Sequence, residues 1–293
     1  MKKEKYLLAI IMIGFGSIGL FVKSVPFTSG QIALARGAIG SLFIFLYTLI
    51  SKQKLSWSRI RPNLYLLILL GTLIGINWIL LFQAYHYTTI PNATVLYYLA
   101  PVIMIILANR FLNEKLNTVR IISILAALIG MVCIVGIDLS AVSASNLSGF
   151  SFALGAAVLY ATVITLNKFL KNISGIESTF VQLLFAAISL FPYVMLTDGF
   201  SLTGVSSTAI GLILVVGIFH TGISYTIYFT VVRKISNQTV AAYSYIDPLS
   251  AILMSTLFFH EVMTPLQILG GALILGATMV SELFGNNTKS ILS

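Results

Sequence analysis

"SYIDPLSAILMSTLFFHE", residues 244–261, has the length and apolarity of a membrane-spanning helix, yet Asp247 stands about a third of the way along it, directly before Pro248. A charged side chain at the centre of a bilayer costs about 2.5–3.5 kcal/mol on insertion scales, so it demands a partner or water. Proline supplies no backbone N–H, which loosens the helix and frees carbonyls in the preceding turn. Free polar backbone at membrane depth is tolerated where it lines a cavity. The stretch is therefore expected to cross a membrane with a polar interruption at a cavity wall, where the carboxylate can hold an ammonium group or exchange a proton.

The rest of the chain supplies the setting. It is 58% hydrophobic and 9% charged, against roughly 25% charged in soluble domains. Apolar runs of about 20 residues, the length of a bilayer core, recur from end to end. Read between charges, Pro, Asn and Gly, they predict ten helices at 6–23, 30–50, 64–87, 92–110, 119–137, 149–169, 177–197, 207–231, 238–259 and 265–284. The runs are long and lack a period of two, which excludes barrel strands. The expected fold class is all-α integral membrane. "MKKEKYLLAIIMIGFGSIGL" opens like a signal peptide but precedes nine more spans, so it is read as a retained first span. Cys133, in an apolar run, offers neither a disulfide framework nor a metal cluster.

Charge orients the spans. Of 17 Lys and Arg residues, Lys2, Lys3, Lys5, Lys52, Lys54, Arg59, Arg61, Arg110, Lys115, Arg120, Lys168, Lys171, Arg233, Lys234 and Lys289 fall on one side. Lys23 alone falls on the other, and Arg36 lies inside a span. Cytoplasmic loops carry such an excess, so both termini are expected in the cytoplasm and the chain in the cytoplasmic membrane. The net charge of +9 is then an orientation signal and not a nucleic-acid surface. Trp57 and Arg59 are expected to anchor at the interface.

The chain also repeats itself. "YYLAPVIMIILANRFLNE" at 97–114 aligns with 244–261 at an offset of 147, pairing Tyr98/Tyr245, Pro101/Pro248, Ile105/Ile252, Phe111/Phe258 and Glu114/Glu261. Asn77-Trp78 falls opposite Ser224-Tyr225, and Lys23 opposite Lys168 at a slightly different offset. Two halves of five helices follow, 1–143 and 144–293. Because five is odd, the second half must be inverted, and inverted repeats mark many secondary transporters with sites near the midplane. Glu114 and Glu261 are expected to be structural, accepting from exposed helix N-terminal amides.

With "APVIMIILANRFLNEKLN", its echo "DPLSAILMSTLFFHEVMT" and Arg36 in "QIALARGAIG", the chain resembles the EamA-type drug/metabolite transporter superfamily over nearly its whole length. The resemblance implies ten helices around a central cavity lined by helices one, three, four and their second-half counterparts. It implies a carrier of amino acids or related small metabolites, mostly an exporter.

Polar and aromatic residues near mid-span mark candidate site positions independently of that likeness. They are Asn77 and Trp78 in the third span, Tyr97 and Tyr98 in the fourth, Tyr160 in the sixth and His220, Ser224 and Tyr225 in the eighth. Tyr243, Tyr245 and Asp247 follow in the ninth. Spans five and ten hold almost nothing comparable. Arg36 lies roughly 9 Å inside its span, deep enough to hold a substrate carboxylate or pair with Asp247, or to snorkel toward headgroups. His220 suits proton exchange or hydrogen-bonded packing. The aromatic residues suit a pocket lining or helix packing, while Asn77 and Ser224 are expected to hydrogen-bond the ligand.

Other motifs carry less. "GFGSIG" at 14–19 satisfies G-x-G-x-x-G literally, but it sits inside an apolar span with no preceding strand. Small residues there, like Gly71 and Gly75, permit close helix packing. No phosphate-binding loop appears, and three scattered histidines make no metal site. The expected partners are a small-molecule substrate, the lipid bilayer and protons as a coupling ion, with no cofactor. The alternatives are a facilitator or importer of another small metabolite or cationic drug, or an intramembrane enzyme using Asp247 and His220. The last lacks a second deep carboxylate or a nucleophile–base pair.

Overall fold

The computed structural model describes residues 2–22, 25–52, 55–88, 90–115, 117–135, 147–199, 205–259 and 264–284. Lys23, Lys54, Glu261 and Lys289, used above for charge and repeat, lie outside the described residues. Among the described residues all regular structure is helical. The elements are α1 (Lys2–Gly16), α2 (Ile18–Val22), α3 (Ser29–Ile50), α4 (Trp57–Ile60), α5 (Leu64–Tyr87), α6 (Ile90–Tyr97), α7 (Ala100–Leu112) and α8 (Thr118–Val135). Then come α9 (Leu147–Asn167), α10 (Gly175–Thr197), α11 (Ser207–Val215), α12 (Ser224–Val232), α13 (Asn237–Ser244), α14 (Ile246–Phe259) and α15 (Pro265–Phe284). A π-helical stretch, Val216–Ile223, joins α11 to α12.

Seven helical runs among the described residues are long and apolar enough to cross a membrane. Two shorter apolar helices, Thr118–Ile134 and Pro265–Ser281, occupy the predicted fifth and tenth spans. Ile50, Leu196 and Leu257 are 70–87% exposed, a distribution that suits lipid and not water.

Several predicted spans are interrupted. The first breaks at Ser17, whose hydroxyl bonds back to the Gly14 carbonyl at 2.7 Å. The fourth divides at Tyr98–Leu99 and the ninth at Tyr245, each just before its proline. Those prolines lack the N–H that would tie the carbonyl four residues earlier. The eighth was read as one regular helix; its π turns were not. Thr221 Oγ1 donates to Val216 O at 3.0 Å and Ser224 Oγ to Phe219 O at 2.8 Å, both five residues back.

Within the bundle, α5 packs on α9 and α10, α3 on α10 and the π stretch, and α8 on α15. Helix α1 packs on α12 and α14, and α7 on α9 and α13. The α5–α10 crossing is backbone-close: a Cβ on Gly71 would stand 2.5 Å from Gln182 O, and one on Gly75 3.0 Å from Ala186 O. Small residues four apart let helices approach this way.

Polar bonds fasten one end of the bundle. Glu114 Oε1 accepts from Lys168 Nζ at 3.3 Å and from the Asn237 amide at 3.1 Å. Arg59, expected at the interface, grips Glu177 through Nε and Nη2 at 2.8–3.2 Å. Glu177 is only 2% exposed while Arg59 is half-exposed, so the buried carboxylate is the partner that needs the bond. Trp57 remains 61% exposed.

Candidate functional site

Asp247 is the second residue of α14, and its Oδ2 accepts the Tyr98 hydroxyl at 3.0 Å. Tyr98 sits in the equivalent break between α6 and α7. Its ring stacks on Tyr245, with centroids 6.3 Å apart and planes at 28°. The Tyr245 hydroxyl donates to the Tyr98 carbonyl at 3.2 Å. One tyrosine thus ties up a backbone acceptor in the opposite break, while the other ties up the carboxylate. The two prolines leave the carbonyls of Tyr97 and Ser244 without their usual helical donor, and both residues line a cavity.

That cavity has a volume of about 190 Å³. Met12, Phe15 and Ile18 wall it on one side, with Arg36 from α3 and Trp78, Leu81 and Phe82 from α5. Tyr97, Tyr98, Ala100, Pro101, Tyr160, Tyr225, Tyr228, Ser244 and Asp247 complete the wall. A smaller space of about 30 Å³ adjoins it, sharing Trp78, Tyr97, Tyr160, Tyr225 and Tyr228 and adding Asn77, Ile74, Val163, Ile164 and Phe229.

Arg36 faces inward. Its Nε donates to Thr221 Oγ1 at 3.1 Å, and its guanidinium carbon lies 5.1 Å from the Trp78 ring centre. The ring quadrupole attracts the cation, and the π stretch presents Thr221 to it. Arg36 and Asp247 therefore line one cavity, and among the described residues no ion pair joins them.

The remaining candidates divide. Asn77 lines the smaller space, but its Nδ2 is committed to Ala156 O at 2.6 Å, fastening α5 to α9. The Tyr160 and Tyr228 hydroxyls are bonded at 2.8 Å. Trp78 and Tyr225 meet edge to face, 6.4 Å apart at 86°. His220, Ser224, Tyr243 and Tyr245 are absent from both linings. His220 Nε2 is hydrogen-bonded to Ser17 Oγ at 2.8 Å, and its ring packs on Phe21. The Ser224 hydroxyl is spent inside its own helix. Tyr243 is half-buried against the core, and Tyr245 is fully buried.

Sequence reasoning missed Tyr228, Phe15, Ser244 and Thr221. Tyr228 had a legible signal, since it lies three residues after Tyr225 and so on the same helical face. Thr221 had none, because its partner Arg36 is 185 residues away.

With this geometry in hand, comparison with known proteins is decisive. The EamA-like transporter family matches residues 3–136 and, a second time, 147–282. The chain belongs to that family. As an EamA-like protein it is a multi-pass membrane transporter and not an enzyme. It is 30% identical over 253 residues to "Uncharacterized transporter YxxF" of Bacillus subtilis (strain 168), covering 86% of this chain and 80% of that one. It is 25% identical over 276 residues to an "Uncharacterized transporter" of Archaeoglobus fulgidus, covering 93% of this chain and 96% of that one. A protein of known crystal structure superposes with a TM-score of 0.84 over 96% of this EamA-like chain and 98% of its own, at 15% identity, which speaks for the fold alone.

Proposed function

We propose that this EamA-like transporter is an alternating-access exporter of small amino acids or close relatives, with ten spans arranged as two inverted five-helix halves, 1–143 and 144–293. Its place is the cytoplasmic membrane, with both termini in the cytoplasm, as the Lys and Arg distribution indicates. The outward direction rests on the family resemblance.

Packing supports the inverted duplication. The repeat equates α1–α2 with α9, α3 with α10, α5 with α11–α12, α6–α7 with α13–α14, and α8 with α15. Under that equivalence the α5–α9 contact is mirrored by α1–α12, α5–α10 by α3 with the π stretch, and α7–α9 by α1–α14. The α3–α10 and α8–α15 contacts map onto themselves. Groups related by a two-fold axis can touch only if the axis passes between them. Trp78 touches Tyr225 and Tyr98 touches Tyr245, two pairs at the offset of 147, which supports a two-fold axis between them.

The observation that carries the substrate class is a cation and an anion on one cavity wall with no ion pair between them, Arg36 and Asp247. Neither belongs to the repeated scaffold, since the same offset places Leu183 opposite Arg36 and Ala100 opposite Asp247. A zwitterion answers both, with its carboxylate on Arg36 and its ammonium on Asp247. The cavity volume falls below the roughly 300–1,000 Å³ of drug-sized pockets, which favours a small metabolite over a bulky cationic drug. Tyr98 holds the carboxylate until the ammonium displaces it.

The test is amino-acid flux through purified protein in liposomes, with and without a pH gradient. Gradient-driven accumulation that is lost in Asp247→Asn supports proton coupling at this carboxylate. Flux that only equilibrates makes the protein a facilitator and leaves Asp247 the ammonium site. No flux of any amino acid, with Asp247→Asn indifferent for every solute, removes the assignment.

A further inference from the structure

Away from the central cavity, a recess of about 450 Å³ opens between α4, the start of α5 and the end of α9. We propose that it binds the headgroup of an anionic phospholipid, with an acyl chain running along its apolar side. Arg59, Lys171, Asn63 and Asn172 line one part of it, and Leu66 and Phe169 another. This lining holds two cations and, among the described residues, no carboxylate.

The recess is built and not a gap between loops. The buried Asn63 side chain donates through Nδ2 to Arg59 O and to Lys171 O, both at 2.9 Å, and its Oδ1 accepts from Lys171 N at 3.0 Å. One amide thereby pins the two basic segments together. Arg59 is fixed, and largely neutralised, by Glu177. Lys171 has no carboxylate partner among the described residues, which leaves its charge for a ligand. The left-handed turn at Asn172, φ 50°, reverses the chain directly after it.

Position selects a lipid over a free anion. Phe169 is 42% exposed, and the nearby Trp57 and Tyr65 are 61% and 90% exposed. Exposed aromatic residues of this kind settle at the headgroup level. A soluble phosphate would use the cation and leave Leu66 and Phe169 idle, whereas an amphiphile uses both. Basic recesses between transmembrane helices suit anionic headgroups.

Native mass spectrometry of the purified chain with phosphatidylglycerol, phosphatidylcholine or glycerol phosphate tests this. Wild type should retain phosphatidylglycerol over phosphatidylcholine, and Lys171→Glu should weaken that retention by about fivefold or more, one interfacial charge having that weight. Lys171→Gln serves if the reversal impairs folding, and Lys3→Glu, on the remote N-terminal helix, should change nothing. Equal retention of both lipids, or no effect at Lys171, overturns the proposal. Competition by glycerol phosphate as strong as by the lipid makes this a free-anion site and overturns the lipid assignment.

Discussion

Gly16 offers a sharp test of how the first helix supports Asp247. A Cβ there would land on Ser250 Oγ, 2.5 Å from Asp247 O and 2.8 Å from Ala251 N. Two of those atoms are backbone and cannot swing aside. Ordinary contact begins at 3.4 Å, so Gly16→Ala must part α1 and α14 by about 0.9 Å beside the carboxylate. Overpacking of this kind costs about 1–3 kcal/mol, while replacing a helical glycine with alanine returns about 1 kcal/mol. The same motif supplies its own control, since Gly14 has nothing within 4 Å of a built Cβ. Gly14→Ala receives the helix gain without the clash, so the difference between the two variants isolates the overpacking at about 1–3 kcal/mol. Thermal unfolding in detergent reads the stability difference, and liposome flux reads the displacement of Asp247. Gly16→Ala should unfold earlier than Gly14→Ala and transport roughly tenfold more slowly, a loss of about 1.4 kcal/mol. Equal unfolding together with wild-type flux would refute the claim that α1 is seated on the Asp247 turn.

Glu177→Ala removes an acceptor of the Ser56 amide, the Ser174 amide and hydroxyl, and Arg59. It should destabilise by about 3 kcal/mol, the lower end for a broken buried pair because Arg59 is half-exposed; an unfolding midpoint within a degree of wild type would contradict this. Glu114→Gln and Lys168→Met should be non-additive by about 1 kcal/mol, and strict additivity in unfolding would show that their contact carries no energy. Arg36→Lys should lower flux by an order of magnitude or more, because an ammonium lacks the forked donors that let Arg36 bond Thr221 and still offer N–H groups to a carboxylate; an unchanged KM would remove Arg36 from the site. Ser224→Ala should transport within about twofold of wild type, since its hydroxyl is already bonded to Phe219 O, and a large loss would return it to the ligand.

Several cavity-lining positions could be read from depth and residue type alone. Asp247, Arg36, Trp78, Tyr97, Tyr98, Tyr160 and Tyr225 stood out because a polar or aromatic group in an apolar run is visible without any tertiary contact. The orientation of those side chains was not visible. Asn77 and Ser224 looked equally able to meet a ligand, yet both side chains are engaged by carbonyls, one on a neighbouring helix and one on its own. Glu114 was expected to cap a helix N-terminus and does so, but the amide belongs to Asn237, 123 residues on.

Composition and the spacing of apolar runs determined an all-helical membrane fold, and the offset of 147 paired aromatic residues that meet in space, Trp78 with Tyr225 and Tyr98 with Tyr245. These are local properties of a chain that must satisfy its backbone within lipid. Helix contacts decided the rest: the breaks at Tyr98 and Tyr245, the π turns that present Thr221 to Arg36, and a cation and an anion left facing one space. Such features arise only when segments distant in sequence compete for the same donors and the same volume, and tertiary packing settles that competition.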